Sequence, residues 1–292
     1  MSSDNTSLLT FKYIPEPSEL ASDVLVPLKV LSRSESYAES WVDEAPVVSK
    51  ATAFGAEIIS PKHLAFTYHS DKQDVELITK QAYELAFQSS HDNAYPHLIR
   101  TWNYLHDING ADKGLERYQS FCVARHEILE KYGQLSTPNP AATAIGSHNG
   151  KNVFVFLFAK EQGQVIENKR QVSAWDYPKQ YAPKQPRFSR AMQHESVLMC
   201  SGTASVVGHE TRHLNDVLAQ FDECLKNVSV LLSENGNKHD LKDGLYRFYI
   251  RAANQVDLVE EKIIGFGIEN YIVLHGDVCR ENLLIECEVV FQ

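Results

Sequence analysis

One order of strands and helices, used twice, constrains the fold of this chain more than anything else in its 292 residues. Residues 63–70 (HLAFTYHS) read as a strand, and Val75, Ile78, Ala82 and Leu85 then recur at helical spacing. Residues 97–105 (HLIRTWNYL) alternate like a strand. Over 116–132, Tyr118, Phe121, Cys122, Arg125, Ile128 and Leu129 mark a second helix. Strands at 141–145 and 153–158 (VFVFLF) complete a β-α-β-α-β-β unit. The second half repeats it. Residues 196–200 are a strand, and Leu214, Val217, Leu218, Phe221, Leu225, Val228 and Leu232 mark a long amphipathic helix stopped near Gly236. A strand at 244–251, a helix at 256–264 and strands at 271–275 and 283–291 follow.

The fold class expected is therefore α+β: two tandem units, each a mixed sheet with helices on one face. The length suits two cores of roughly 140 residues. The expected division is 1–164 and 165–292. The stretch 160–193 between the repeats is polar and carries Pro178, Pro183 and Pro186, so it reads as a linker. It is also dense in functional side chains, Tyr177, Tyr181, Arg187 and Arg190, and reads equally as a solvated connector or as the border of a site.

Charge narrows the function. The net charge of −10 argues against a nucleic-acid groove, which needs a basic stripe, but not against a small anion held by a few focused arginines. No apolar run approaches the ~20 residues of a membrane span, and the opening MSSDNTSLLTFKYIPEP lacks the pattern of a secretory signal. Cys122, Cys200, Cys224, Cys279 and Cys287 are odd in number and form no CxxC pair, so a cytoplasmic location is expected.

Residues 209–213, His209-Glu210-Thr211-Arg212-His213, match the HExxH pattern of zinc peptidases. A third ligand is missing. Asp216 and Ala219 stand where the extended motif needs Gly and His, and Glu234, on one continuous helix, would lie about 30 Å away. The competing reading is a polar helix start after Gly208. No metal is expected.

Two other sets of residues suggest chemistry. Arg187, Arg190, Arg247, Arg251 and Arg280 lie in the second half, with Arg125 on a first-half helix. Arginine binds carboxylates through two parallel hydrogen bonds, so several converging on one place imply a ligand with more than one carboxylate. Arg247 and Arg251 share a strand face around Tyr249 and are the better candidates; surface ion pairs are the plain alternative. On the last strand, Glu286 and Glu288 share one face while Ile285, Cys287 and Val289 share the other. Two carboxylates in an apolar setting cannot both ionise cheaply, so at least one pKa should rise and give a proton donor near neutral pH. An edge strand with a solvated acidic face is the alternative.

At these residues the sequence resembles the chorismatases, chorismate-converting enzymes of polyketide starter-unit and aryl-polyene pigment pathways. The segments that carry the resemblance are RYQSFCVARHEIL from Arg117, QVSAWDYPKQYAPKQPRFSRAM from Gln171, SGTASVVGHETRHLNDVLAQ from Ser201 and HGDVCRENLLIECE from His275. It covers most of the chain from about Pro96; the first ~60 residues carry no motif that aligns. The resemblance implies two units of the YjgF/RidA type and an HExxH not associated with zinc. It implies Glu286 as general acid, which its apolar strand and the neighbouring Glu288 would hold protonated. It implies Tyr118 with Arg125, and Tyr177 with Arg190, as substrate-binding pairs, Arg251 facing the pocket, and backbone N–H groups offered at Thr203 and Ala204. Cys279 matches the hydroxybenzoate-forming subgroup.

The reaction so implied converts chorismate to 3-hydroxybenzoate, with 4-hydroxybenzoate as a second product, and pyruvate. It proceeds by protonation of the enolpyruvyl methylene and without a cofactor. Hydrolysis to the 3,4-dihydroxycyclohexadiene carboxylate is the alternative within the family. From another class, a RidA-like carboxylate-binding or imine-hydrolysing protein would use the same arginines. The partner expected is a small molecule, neither nucleic acid nor membrane, on a monomer or homotrimer.

Overall fold

The structure is a computed structural model that describes residues 6–14, 20–43, 46–234, 236 and 239–292. In chain order its elements are β1 (Ser7–Ile14), β2 (Asp23–Arg33), β3 (Ser40–Val42), β4 (Val48–Ala51), β5 (Ala56–Ile59), β6 (His63–Ser70), α1 (Val75–Asn93), β7 (His97–His106), β8 (Ala111–Asp112), β9 (Leu115–Glu116), α2 (Arg117–Lys131), β10 (Ala141–Ser147) and β11 (Asn152–Ala159). The second half gives β12 (Gln164–Ile166), β13 (Ala191–His194), β14 (Val197–Ala204), β15 (Val206–Val207), β16 (Glu210–Thr211), α3 (Val217–Glu234), β17 (Leu245–Ile250), α4 (Val256–Gly265), β18 (Asn270–His275), β19 (Asp277–Val278) and β20 (Ile285–Phe291).

The duplication is visible in the pairing. In the first unit the strands run β10-β7-β11-β6, with β7 and β10 parallel and β11 antiparallel to both of its neighbours. In the second they run β18-β17-β20-β14, with β17 and β18 parallel and β20 antiparallel to both neighbours. Strand for strand this is the same topology. The parallel pair in each unit is joined by a crossover helix, α2 or α4, as a parallel connection requires.

Each sheet has two buried faces, and period 2 assigns them. Phe154, Phe156 and Phe158 of β11 pack with α1 and α2, while Val153, Val155 and Leu157 turn to the other face. On β20, Ile285, Cys287, Val289 and Phe291 pack with α3 and α4. The faces without helices stack on each other, where Trp102 and Tyr104 of one sheet share a core with Tyr249, Ile272 and Leu274 of the other. Four layers result, helices outside and sheets inside. No helix among the described residues is long and apolar enough to cross a membrane.

Two expectations need correction. The division at 164/165 separates the helical units but not the sheets. Strands β1–β3 complete the nine-stranded sheet of the second unit, and β19 pairs with β10 in the seven-stranded sheet of the first. The N-terminal stretch, silent in motifs, supplies edge strands to both sheets. The HExxH segment is not a helix start. Glu210 and Thr211 form a short hairpin with Val206 and Val207, His213 takes a left-handed φ of 56°, and the helix begins only at Val217, leaving Leu214 exposed. The side chain of Glu234 lies outside the described residues.

Candidate active site

The second unit's inner face meets the first unit's α2 around a cavity of about 910 Å³. β20 is a central strand, so its acidic face looks inward rather than to solvent. Glu286 lines the cavity; Glu288, one pleat further on, does not. Both are buried, but their surroundings differ.

Glu288 is held from both units, by Arg100, Trp102 and Thr143 of the first and by Arg247 and Tyr249 of its own. Trp102 Nε1 donates to its Oε1 at 2.6 Å, Thr143 Oγ1 to its Oε2 at 2.8 Å, and Tyr249 Oη to the same Oε2 at 2.9 Å. Arg100 and Arg247 approach Oε1 at 3.0 and 3.1 Å. Burial alone would raise its pKa, but the two guanidinium groups and the hydrogen bonds outweigh it and hold the carboxyl at about 2. Among the described residues nothing hydrogen-bonds the carboxyl of Glu286. Burial first, and then the negative charge of Glu288, push its pKa up to about 8 against a partial opposing pull from Arg100 and Arg190. The strand thus carries one fixed anion and one carboxylic acid that is neutral at pH 7.

The space for that acid comes from β14. The β14–β20 register slips between Cys200 and Thr203, and Gly202 sits in the slip. A Cβ there would lie 2.0 Å from Glu286 Oε1, so only glycine lets the carboxyl lie against this strand.

Facing Glu286 are two buried arginines with spare donors. Arg125 stacks on Phe121 at 4.7 Å, and its Nε and Nη2 have no partner. Arg190 Nη2 donates to Tyr177 Oη and to the carbonyl of Val172, both at 2.7 Å, while its Nε is unpartnered. Buried donors left unpaired are costly, and two such groups lining one cavity fit an anionic ligand. Tyr118, Tyr177, Ala204 and Cys279 also line the cavity. Burial first, and the charge of Glu286 second, push the Cys279 thiol up to about 12, so it stays protonated and is no thiolate nucleophile. At the mouth, Arg280 lies over Tyr181 at 3.8 Å and donates to the carbonyl of His209 at 2.9 Å.

Comparisons with known proteins place the chain in a family. The family model described as "Chorismatase FkbO/Hyg5-like, N-terminal" matches residues 39–159. A chorismatase of Streptomyces rapamycinicus is 35% identical over 277 residues, 88% of this chain and 82% of that protein. This chain belongs to the chorismatase family. A 3-hydroxybenzoate synthase of Streptomyces hygroscopicus is 37% identical over 233 residues, covering 73% and 68% of the two chains. A chorismatase crystal structure overlays on 100% of this chain and 95% of its own at a TM-score of 0.87 and 29% identity.

In this chorismatase, Glu286, Tyr118, Arg125, Tyr177, Arg190, Ala204 and Cys279 meet around one cavity. Four other candidates do not reach it. Arg251 falls just beyond β17, and its donors are taken by Asp277, Asn109 and the carbonyls of Val278, Arg280 and Leu283. It ties down the loop that carries Cys279 and Arg280 rather than facing a ligand. Arg247 points between the sheets. Thr203 turns its hydroxyl to the carbonyl of Ser201 at 2.8 Å and lies off the cavity wall. Arg187 borders a separate, smaller cleft beside Leu135.

The HExxH histidines are spent apart. His209 Nδ1 lies 3.1 Å from Tyr181 Oη, and His213 Nε2 lies 2.9 Å from Glu223. Sequence reading missed Gly202, which only a Glu286 carboxyl placed against it reveals, and Arg100, a lone arginine in a strand read only for its alternation. The polar stretch after β12 is a wall of the site: Tyr177, Gln180, Tyr181, Pro186, Phe188 and Arg190 all line it.

Proposed function

We propose that this chain converts chorismate to 3-hydroxybenzoate and pyruvate, with 4-hydroxybenzoate as a minor product, using Glu286 as the acid. The observation that carries the reading is a buried, unpartnered carboxyl that shares a cavity with two arginines holding free donors, and burial beside Glu288 pushes its pKa up to about 8. Chorismate is a dianion with an enol ether. Arg190, whose charge reaches Glu286, suits the enolpyruvyl carboxylate beside the reacting methylene; Arg125, across the cavity, suits the ring carboxylate.

Glu286 gives its proton to the terminal methylene carbon. The enol ether becomes an oxocarbenium ion, and the new Glu286 carboxylate is the anion nearest to it. The electrons of the ring C–O bond leave with pyruvate. The electron-poor ring moves its remaining hydroxyl to the adjacent carbon and loses a proton to become aromatic. If that proton is lost before the oxygen moves, 4-hydroxybenzoate forms. The ring returns the proton that the methylene took, so Glu286 is restored and no water is consumed. Capture of the ring cation by water gives the diene diol instead.

The test is to incubate the protein with chorismate and identify the products by chromatography. Release of pyruvate with 3-hydroxybenzoate supports the reading. Pyruvate with the diene diol would replace it by hydrolysis, and no pyruvate would point to a carboxylate-binding or imine-hydrolysing protein.

A further inference from the structure

The N-terminal segment, which no motif explains, reaches the back of this site through one carboxylate. Glu39 precedes β3 and is buried. Its carboxylate accepts hydrogen bonds from Arg247 Nε at 2.6 Å, Tyr37 Oη at 2.6 Å and Trp41 Nε1 at 3.1 Å, and forms an ion pair with Arg247 Nη2 at 2.5 Å. Phe11 of β1 covers the same guanidinium at 3.9 Å. Only Nη1 of Arg247 is left to turn inward, to Tyr104 and to Glu288. Four buried charges therefore alternate in sign through the middle of the molecule, from Glu39 through Arg247 and Glu288 to Arg100. Glu286 stands beside the Glu288 end.

We propose that Glu39 is a positioning residue for the reaction: by engaging most of Arg247, it leaves Glu288 incompletely neutralised, so that Glu288 keeps the proton on Glu286. A buried arginine shared between two carboxylates cancels neither fully. Without Glu39 the whole guanidinium charge falls on Glu288, and the field that disfavours ionisation of Glu286 weakens. The groups facing Glu286 are Glu288 on its own strand, Tyr249 opposite it on β17, Arg100 from β7, Arg190 beside β13, Cys279 from the loop before β20, and Tyr118 with Arg125 from α2 across the cavity. Of these, Glu288 alone forms an ion pair with Arg247.

This rests on Glu286 as the proton donor of the proposed reaction, so the experiment includes a readout that needs no turnover. Carbon-13 NMR of glutamate-labelled full-length protein, with the Glu286 resonance identified by its loss in Glu286→Gln, follows its titration directly; kcat against pH with chorismate follows its consequence. In Glu39→Gln the Glu286 titration and the alkaline limb of kcat should both move to lower pH, by about half a unit or more, with KM little changed. Glu39→Asp retracts the carboxylate by one methylene and should move them the same way by less; if Glu39→Gln does not fold, this variant decides alone. Arg100→Gln removes a cation and should move both the opposite way. Phe11→Leu alters packing on Arg247 but no charge, and should lower Tm with the titration unmoved. An unmoved Glu286 titration in the folded Glu39 variants, with kcat reduced equally at every pH, would overturn the proposal. If the titration moves but the protein does not turn over chorismate, the proposed reaction fails and the electrostatic role stands.

Discussion

Replacing Glu286 by glutamine should remove activity and add stability, and the size of both effects follows from the site. Glutamine keeps the shape and the apolar fit against Gly202 but has no acidic proton. Loss of a general acid costs about 10²–10⁴-fold in kcat. Chorismate should still bind, because Arg125 and Arg190 are untouched. The stability effect comes from linkage. The folded protein holds the Glu286 proton up to about pH 8, whereas an unfolded chain releases it near the ordinary value of 4.5. Between these values the unfolded state loses a proton that the folded state keeps, so stability falls as pH rises through that window and levels off above 8. By pH 7 the wild type has forgone about 3 kcal/mol that the glutamine variant retains. At roughly 2 °C per kcal/mol for a chain of this size, the variant should melt several degrees above wild type at pH 8 and close to it at pH 4.5. Thermal melts across pH, with pyruvate release measured by a lactate dehydrogenase couple, read both effects. Retained turnover, or a Tm difference that does not change between pH 4.5 and 8, would refute the assignment of a buried neutral acid.

In the wild type, kcat should be nearly flat from pH 6 to 7 and fall through a limb near pH 8 as Glu286 ionises; a limb below pH 6 would contradict the burial argument. Arg190→Ala should raise KM by about 10²-fold by removing a charge-assisted contact to a carboxylate, and an unchanged KM would take it out of the site. Glu288→Gln should destabilise the fold by about 3–5 kcal/mol, because Arg100 and Arg247 are left without their shared anion, and denaturant unfolding measures this. Arg251→Ala should lower Tm and loosen the loop around Cys279, with a smaller rise in KM than Arg190→Ala; the reverse order would put Arg251 back in contact with substrate.

The helical units and their inner strands were legible because periodicity records burial. Phe154, Phe156 and Phe158 against Val153, Val155 and Leu157 is a two-sided strand even before its partners are known. The acid pair was legible for the same reason: alternation with Ile285, Cys287 and Val289 places both carboxylates on one face. What period 2 does not encode is which strand lies opposite. Arg247 and Arg251 differ in sequence only by a step of four, yet one ends between the sheets and the other in a loop, because β17 stops at Ile250. The HExxH segment read as a helix start because a helix does follow, but the left-handed turns at Gly208, His213 and Asn215 hold the chain in a hairpin first. The N-terminal strands were invisible as part of the second unit because their pairing with β18 spans nearly the whole chain.

The two glutamates of β20 have the same side chain, the same strand and the same burial, so nothing local distinguishes acid from anion. The first unit makes the difference. Where β7 and β10 press against β20 they bring Arg100, Trp102 and Thr143 to Glu288, and its charge is held. Two residues along, the facing wall opens into the cavity and Glu286 is left without a donor. On β11, which occupies the matching place in the first unit, the inward face carries Val153, Val155 and Leu157, so that unit can offer no acid of its own. Duplication has divided the work: one copy carries the proton, while the other supplies Arg100, Trp102 and Thr143 to fix its neighbour's charge and, through α2, the arginine across the cavity. A site built this way needs both sheets stacked in register, so substitutions that loosen the inter-sheet core around Trp102 should reduce kcat through Glu286 without touching the cavity wall.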